Sequence, residues 1–441
     1  MTVPSEAAGL RLTAGERLYR AASPGAFELV RLLARIVGRS STELDCRAGV
    51  MPEAPGPLFW FHGASAGEMV AAVRLTALLR QHGQRFTAAY TAANRAGVEL
   101  VTRAAIPDTI TAFGPWDHPR WNARAFERWR PRALFLVETE LWPGLILEAY
   151  RREVPVFCVS ARIYARDLRR YNLVRGLTAA MLCRLTGILA QNETERARLL
   201  ALGAPADRCI AAGNLKYLAA DRTTRDTDSL RNKLGLRPDD QVIVCGSVHR
   251  DEIPLLFAAL EACMRRGLRI IIAPRHRPAI AAITREARRR NWSYQLGARS
   301  PMSTAWQVLV LIGMGELAHS YAVASLAIVG GGFCKHGGHN IFEPLMLGIP
   351  VLFGRHCENF EDDVRALTAV APESQVTDAD ELAARVAEWL GNDACRRQVA
   401  ARQHRALPNS DDIAARYIAA LSSWLPGTGA SCQRTAAGLS A

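Results

Sequence analysis

Short apolar runs recur along the chain, each closed by a glycine-rich or charged motif and followed by an amphipathic stretch. In the first half the runs are Leu58 to Phe61, Phe86 to Tyr90, Ala133 to Val137, Val154 to Ser160, Gly187 to Ala190 and Cys209 to Ala212. In the second half they are Val242 to Cys245, Arg269 to Ala273, Val308 to Leu311, Leu326 to Val329 and Val351 to Phe353. Strands alternating with helices build parallel, doubly wound sheets. A polar stretch, residues 218–240, separates the two series. Open α/β sheets bind ligands at the carboxyl ends of their strands, and the polar motifs fall there in both halves. The pattern predicts an α/β chain of two doubly wound, Rossmann-like domains facing a cleft, one for a donor and one for an acceptor.

The densest motif runs from Val329 to Pro350. A strand enters a glycine-rich loop, Gly330 to Gly338, and a helix is expected from about Asn340. Asn is a good N-cap, and Glu343 would sit in the first turn. A loop without Cβ atoms lets a ligand approach the backbone, and a helix N-terminus behind it favours anions. The expected feature is an anion pocket. Because Glu343 is better placed to accept from sugar hydroxyls than to meet phosphate, a nucleotide fits it better than a bare phosphate. A plain glycine-rich turn is the alternative.

The chain's 441 residues suit two or three domains. Its formal net charge of +13 points to anionic partners: nucleic acid, phosphorylated substrates or anionic lipid. Ten dispersed cysteines without a C-x-x-C pair suggest a reduced, cytosolic protein. No apolar run reaches the ~18 residues of a membrane span, and no signal-peptide core is present. The predicted division is a basic amphipathic segment over 1–50, an acceptor-side domain over 51–225, a nucleotide-sugar domain over 226–425 and a disordered tail over 426–441. In the first segment Leu18, Phe27, Val30, Leu33 and Ile36 face away from Arg17, Arg20, Arg31 and Arg35, with an interruption expected at Pro24. Such a segment either lies on an anionic membrane surface or packs on the protein itself.

Gly63-Ala-Ser65-Ala-Gly67 matches the G-x-S-x-G nucleophile elbow of serine hydrolases. That elbow needs earlier strands, and this follows the first. The better reading makes the glycines a tight turn and Glu68 a general base for an acceptor hydroxyl; a carboxylate serving the helix dipole is the alternative. Glu138 and Glu140, beside Trp142 and Pro143, suit sugar handling. Lys216, at another strand end, is placed to neutralise a phosphate or carboxylate. Arg275 and His276 are placed for a donor phosphate. Cys334, His336 and His339 are metal ligands by type but lack a fourth partner, so no metal is expected.

Nine pieces in order carry a resemblance to one family, the 3-deoxy-D-manno-octulosonic acid (Kdo) transferases of lipopolysaccharide synthesis. They are Ser65-Ala-Gly-Glu68, Glu138-Thr-Glu-Leu-Trp-Pro143, Ala161-Arg162, Ala190-Gln-Asn-Glu193, Gly213-Asn-Leu-Lys216, Pro274-Arg-His276, Met314-Gly-Glu-Leu317, Gly337-Gly-His-Asn340 with Glu343, and Asn359-Phe360. The resemblance implies a GT-B fold and transfer of Kdo from CMP-Kdo to a lipid A precursor, with no metal or other cofactor and no nucleic-acid partner. It implies Glu68 as general base and Glu138 and Lys216 as stabilisers of the transition state. Pro274, Arg275 and His276, Met314, Gly315 and Glu316, and Asn340, Ile341, Phe342 and Glu343 would hold the donor. It places the chain peripherally on the cytoplasmic face of the bacterial inner membrane. Leu311-Ile-Gly313 departs from the family's Gly-Asp-Thr, and Gly246-Ser-Val-His249 from its Gly-Ser-Thr-His. The competing readings are a GT-B enzyme using a UDP-sugar, a serine hydrolase built on Ser65, and a binding protein without activity.

Overall fold

The computed structural model describes residues 12–164, 167–218, 227–265, 267–297, 305–313 and 315–425; Met314 and the tail over 426–441 lie outside them. The chain divides into two compact units, one of Met1–Ala220 with Asn409–Ala441 and the other of Asp221–Pro408.

The first unit is built on β1 (Leu58–Gly63), β2 (Thr87–Ala92), β3 (Thr109–Phe113), β4 (Ala133–Val137), β5 (Val156–Ala161), β6 (Gly187–Ala190) and β7 (Cys209–Ala211). They form one sheet in the order β3-β2-β1-β4-β5-β6-β7. The second is built on β8 (Gln241–Val248), β9 (Leu268–Pro274), β10 (Tyr294–Leu296), β11 (Val308–Val310), β12 (Leu326–Val329), β13 (Val351–Gly354) and β14 (Gln375–Val376), in the order β10-β11-β9-β8-β12-β13-β14. Every pairing given is parallel. Sheets of this kind are covered on both faces and read as continuous apolar strands. Accordingly β1, β4, β5 and β6 are buried at every position. Trp60, in register with Ala89 and Leu134, is fully buried against Phe126 and Trp129. Burying an aromatic or branched side chain contributes about 1.5–3 kcal/mol, so these central strands hold each sheet together.

The expected strands are all present, and β3, β10 and β14 are additional. β3 and β10 are half-buried, and β10 and β14 are edge strands of only three and two residues. Their apolar signal is correspondingly weak. The N-terminal helix runs unbroken from Ala14 to Ile36 with Pro24 inside it. Its first half is anchored: Thr13 and Glu16 make a capping box, Arg184 grips Glu16 at 2.6 and 3.0 Å, and the Tyr19 hydroxyl donates to Asp117 at 2.7 Å. The helix Ser410–Trp424, placed by sequence in the second domain, belongs to the first unit. Buried Tyr417 accepts from the Ser160 N–H at 2.9 Å and donates to the Gly213 carbonyl at 3.1 Å, and Trp424 lies over Phe157. A Cβ on Gly187 would come within 2.3 Å of Trp424, so that strand position needs a glycine for close approach.

Candidate functional site

Each sheet has a switch point where strand order reverses, β1/β4 in the first and β8/β12 in the second. Ligands of such sheets bind in the crevice outside the carboxyl ends there. The predicted residues gather at these two places.

In the first unit Glu68 stands one turn into the helix Ala66–Gln81, which follows β1. Ser65 is the N-cap, and its hydroxyl accepts from the Glu68 N–H and donates to Glu68 Oε1 at 2.9 Å. Glu68 Oε2 accepts from the Ala64 N–H at 2.5 Å. This resembles a capping box, with the Glu68 carboxylate on the N–H of the residue before the N-cap, and it commits the Ser65 hydroxyl to Glu68. No histidine bonds to Ser65 among the described residues, so the triad of a hydrolase is not assembled. Glu68 is nevertheless more than a cap. Burial, then the negative charge of Glu140, and further that of Glu138, raise its carboxyl to about 7.

Glu138 follows β4 with its backbone in the left-handed region, φ 58°. A non-glycine residue there costs roughly 1–2 kcal/mol and such strain clusters at functional sites. The conformation holds the carboxylate in a buried position, where Oε1 receives the Lys216 ammonium at 2.5 Å. Lys216 comes from a short 3-10 turn after β7, Leu215–Tyr217. That turn is fixed by Asn214, which accepts from the Lys216 N–H at 2.9 Å, and by Ser160, whose hydroxyl accepts from the Leu215 N–H at 3.2 Å. The Lys216 ammonium would lie 3.5 Å from a Cβ placed on Gly67, the residue before Glu68. Glu68, Glu138 and Lys216 are therefore one cluster. Glu140 joins it: the Trp142 indole donates to its Oε2 at 2.7 Å, and His62 approaches at 3.7 Å. Burial and then Arg47 hold His62 down at about 3, so it is neutral at physiological pH and leaves the Glu140 charge uncompensated.

In the second unit Pro274 ends β9, and Arg275 and His276 follow it, exposed. The Arg275 side chain has no hydrogen-bonding or ionic partner among the described residues. Gly315, with φ 84°, opens the short helix Glu316–Ser320, and Glu316 accepts from the Gly313 N–H at 3.1 Å. Asn340 accepts from the Phe342 N–H at 3.0 Å, and its amide reaches Glu343 at 3.3 Å. The Ile341 and Phe342 side chains are buried, so only their backbones can meet a ligand.

Two expectations about the glycine-rich loop are corrected. The helix expected from Asn340 is a single turn, Phe342–Leu345, whose N-cap residue Ile341 offers no side-chain cap; Asn340 accepts from its first N–H instead. Pro344 and Gly348 close it, and one turn carries little dipole. Two of the loop amides, moreover, are already engaged by a carboxylate. Buried Glu252, at the start of the helix Ile253–Cys263, accepts from the Gly331 N–H at 2.7 Å, the Phe333 N–H at 3.0 Å and the His249 N–H at 2.9 Å. The protein's own carboxylate thus occupies the Gly331–Phe333 part of the backbone nest. What faces outward instead is side-chain chemistry: Arg275, His276, His249, His336 and His339. His249 and Glu252 were not among the predicted site residues. The signal for His249 was its place at the end of β8, in Gly246-Ser-Val-His249; for Glu252 the sequence offers none.

Comparison with known proteins bears on the family and the fold. A family model described as 3-Deoxy-D-manno-octulosonic-acid transferase (kdotransferase) matches residues 42–219. The 3-deoxy-D-manno-octulosonic acid transferase of Bordetella pertussis is 32% identical over 349 residues, 76% of this chain and 79% of that protein. The enzyme of the same name from Haemophilus influenzae is 29% identical over 339 residues, again 76% of this chain and 79% of that protein. A crystal structure of a UDP-N-acetylglucosamine 2-epimerase superposes with a TM-score of 0.58 at 13% identity, covering 88% of this chain and 100% of that one, which shows a shared GT-B fold. The chain belongs to the 3-deoxy-D-manno-octulosonic acid transferases, glycosyltransferases of lipopolysaccharide biosynthesis.

Proposed function

We propose that the chain moves Kdo from CMP-Kdo to a hydroxyl of a lipid A precursor, with Glu68 as general base. The observation that carries this reading is the state of Glu68, a carboxyl held near neutrality beside the Lys216–Glu138 pair. A base whose pKa lies near the working pH is at its most effective. In the reaction Glu68 takes the proton of the acceptor hydroxyl as its oxygen forms a bond to the anomeric carbon. The bond from that carbon to the CMP phosphate breaks, and its electron pair leaves on the phosphate oxygen. Lys216, partly neutralised by Glu138, stabilises negative charge developing around the reacting centre. Pro274, Arg275, His276, Gly315, Glu316 and the Asn340-to-Glu343 turn hold the donor, with Arg275 supplying the fixed positive charge; Met314, assigned to the same group by the resemblance, lies outside the described residues.

The acceptor is a lipid, and the N-terminal helix supports peripheral attachment to an anionic membrane on the cytoplasmic side. No described helix is long and apolar enough to cross a membrane. Leu29, Leu32, Leu33 and Ile36 form one exposed stripe flanked by arginines, as a surface-lying helix requires.

The test is transfer of Kdo, from CMP-Kdo generated in situ, to a lipid A precursor by the wild type and by Glu68→Gln. Transfer by the wild type with loss in the variant is expected. CMP binding without transfer by the wild type would mean the wrong sugar or acceptor. UDP binding in preference to CMP would favour the UDP-sugar alternative.

A further inference from the structure

Four histidines meet at the carboxyl ends of three adjacent strands. His249 follows β8, His276 follows β9, and His336 and His339 come from the loop after β12. The His249 ring stacks on His336 with centroids 3.8 Å apart and 8° between planes. It meets His276 edge-on at 5.7 Å. With His339 it is coplanar to 3°, and the two Nε2 atoms are 2.9 Å apart. Gly331 makes room for this: a Cβ there would lie 2.7 Å from His339 Cδ2.

Two ring nitrogens at that distance share a hydrogen bond, so one carries a proton and the other is bare. Each neutral imidazole holds a single proton. The ring that donates through Nε2 therefore has a bare Nδ1, and the ring that accepts has an Nδ1–H. Neither Nδ1 has a hydrogen-bond partner among the described residues. One proton from solution, added to the bare Nδ1, converts the pair into a cation with an N–H at each outer end and leaves the bond between the rings intact.

We propose that His249 and His339 act as a one-proton anion site for the phosphate of the nucleotide, taking up a proton from solution when that phosphate binds. This rests on reading the second unit as the donor unit. The surroundings fit the role. The Gly331 and Phe333 amides of the loop are spent on Glu252. The Asp251 carboxylate is turned to His336 Nε2 at 2.9 Å and to the Cys334 thiol, so neither acid hydrogen-bonds the dyad, and the Asp251 charge offsets only part of what holds His249 down. Arg275 and His276 face it from the end of β9. In the free protein burial, with His336, His276 and Arg275 nearby, holds His249 at about 4; burial and then Arg275 hold His339 at about 4. The dyad is therefore neutral at pH 7 until an anion arrives. Because the bound state holds a proton that the free state lacks, affinity rises as pH falls, by up to tenfold per pH unit for one linked proton. The dependence ends near pH 4, where the free dyad is itself charged.

The experiment is calorimetric titration of the full chain with CMP at pH 6.5 and 7.5, each in two buffers of different ionisation enthalpy. The wild type is compared with His249→Asn and, separately, His339→Asn, each first checked by thermal melting; the comparison cancels the ionisation of the CMP phosphate itself. The wild type should take up more protons per CMP than either variant, by as much as one, and its affinity should gain more than theirs on going from pH 7.5 to 6.5. Equal proton uptake by the wild type and a folded variant would overturn the dyad while leaving the donor site standing. If neither variant folds, a wild-type affinity that does not rise between pH 7.5 and 6.5 would overturn it alone. Absence of CMP binding by the wild type would overturn the donor reading and the dyad with it.

Discussion

Glu68 is pulled two ways. Its hydrogen bonds to Ala64 and Ser65 favour the ionised carboxylate, whereas burial and the charges of Glu140 and Glu138 favour the protonated form, and the second set prevails. Only the ionised form can take a proton, so kcat should rise with pH along a limb near 7. Glu140→Gln removes a negative neighbour and should move that limb to lower pH in a kcat–pH profile. Glu68→Gln should lower kcat by about 10²–10⁴-fold, the usual worth of a general base. It keeps an acceptor for the capping bonds, so the melting temperature at neutral pH should not fall. Between the ordinary 4.5 and about 7 the folded chain holds a proton on Glu68 that the unfolded chain has released. Stability therefore falls as pH rises through that window and levels off above it. Urea midpoints at pH 5 and 7.5 should show a smaller drop in Glu68→Gln than in the wild type. The Lys216–Glu138 pair predicts a double-mutant pattern. Lys216→Met leaves Glu138 buried without a cation and should cost about 1–3 kcal/mol, below the usual figure for a broken buried pair because Lys216 is partly exposed. Adding Glu138→Gln should restore most of that stability but none of the transfer, as denaturant titration and kcat will show.

At the scale of elements, the central strands were legible because a parallel sheet covered on both faces needs unbroken apolar runs. The runs Ala133 to Val137, Gly187 to Ala190 and Leu326 to Val329 coincide with β4, β6 and β12. The edge strand β7 was legible too, but the other edge strands were not, since β3 alternates Thr with apolar residues and β10 and β14 have only three and two residues. Nor was the helix Pro119–Trp129, whose three arginines and glutamate mask buried Trp121, Phe126 and Trp129. Long-range partnerships left no local trace. Glu252 reaches the loop about eighty residues away, and Tyr417 reaches Ser160 across 257. The motifs marked Glu68, Glu138 and Lys216 as chemically suited, and the fold supplies their company. Tyr417 shows how an element remote in sequence supports that cluster. Its hydroxyl is buried between Ser160 and Gly213, the two residues that flank the Lys216 turn in space and in sequence. Tyr417→Phe leaves the Ser160 N–H without an acceptor, so it should cost about 1–3 kcal/mol. It should also lower kcat by loosening Lys216; unchanged melting and unchanged kcat together would refute that support.

For the whole molecule the question is how a basic chain with no spanning helix among its described residues would reach the lipid acceptor proposed for it. On sequence alone the N-terminal segment was equally suited to a membrane and to the protein's own surface. The structure gives the two halves of the helix different fates. Glu16 and Tyr19 tie the first half to Arg184 and Asp117, while Leu29, Leu32, Leu33 and Ile36 recur at helical spacing on the second half, 51–76% exposed. Anchored at one end and apolar at the other, the helix has what a peripheral anchor needs, and Arg31, Arg35 and Arg39 around the stripe suit an anionic surface. Burying one such side chain contributes about 1.5–3 kcal/mol, and each arginine near anionic lipid about 1 kcal/mol. Replacing the four apolar residues with Gln removes most of the first contribution and leaves the second. Because all four are exposed, the fold should survive, and transfer to a detergent-dispersed acceptor should persist. Sedimentation with vesicles containing anionic lipid should fall by at least a hundredfold in partition coefficient. What remains should be abolished by raising salt, which screens surface charge but not apolar burial. If the quadruple variant sediments as the wild type does, attachment resides elsewhere on the chain; if wild-type binding itself vanishes in moderate salt, the arginines alone hold the chain to the lipid and the apolar stripe is not inserted.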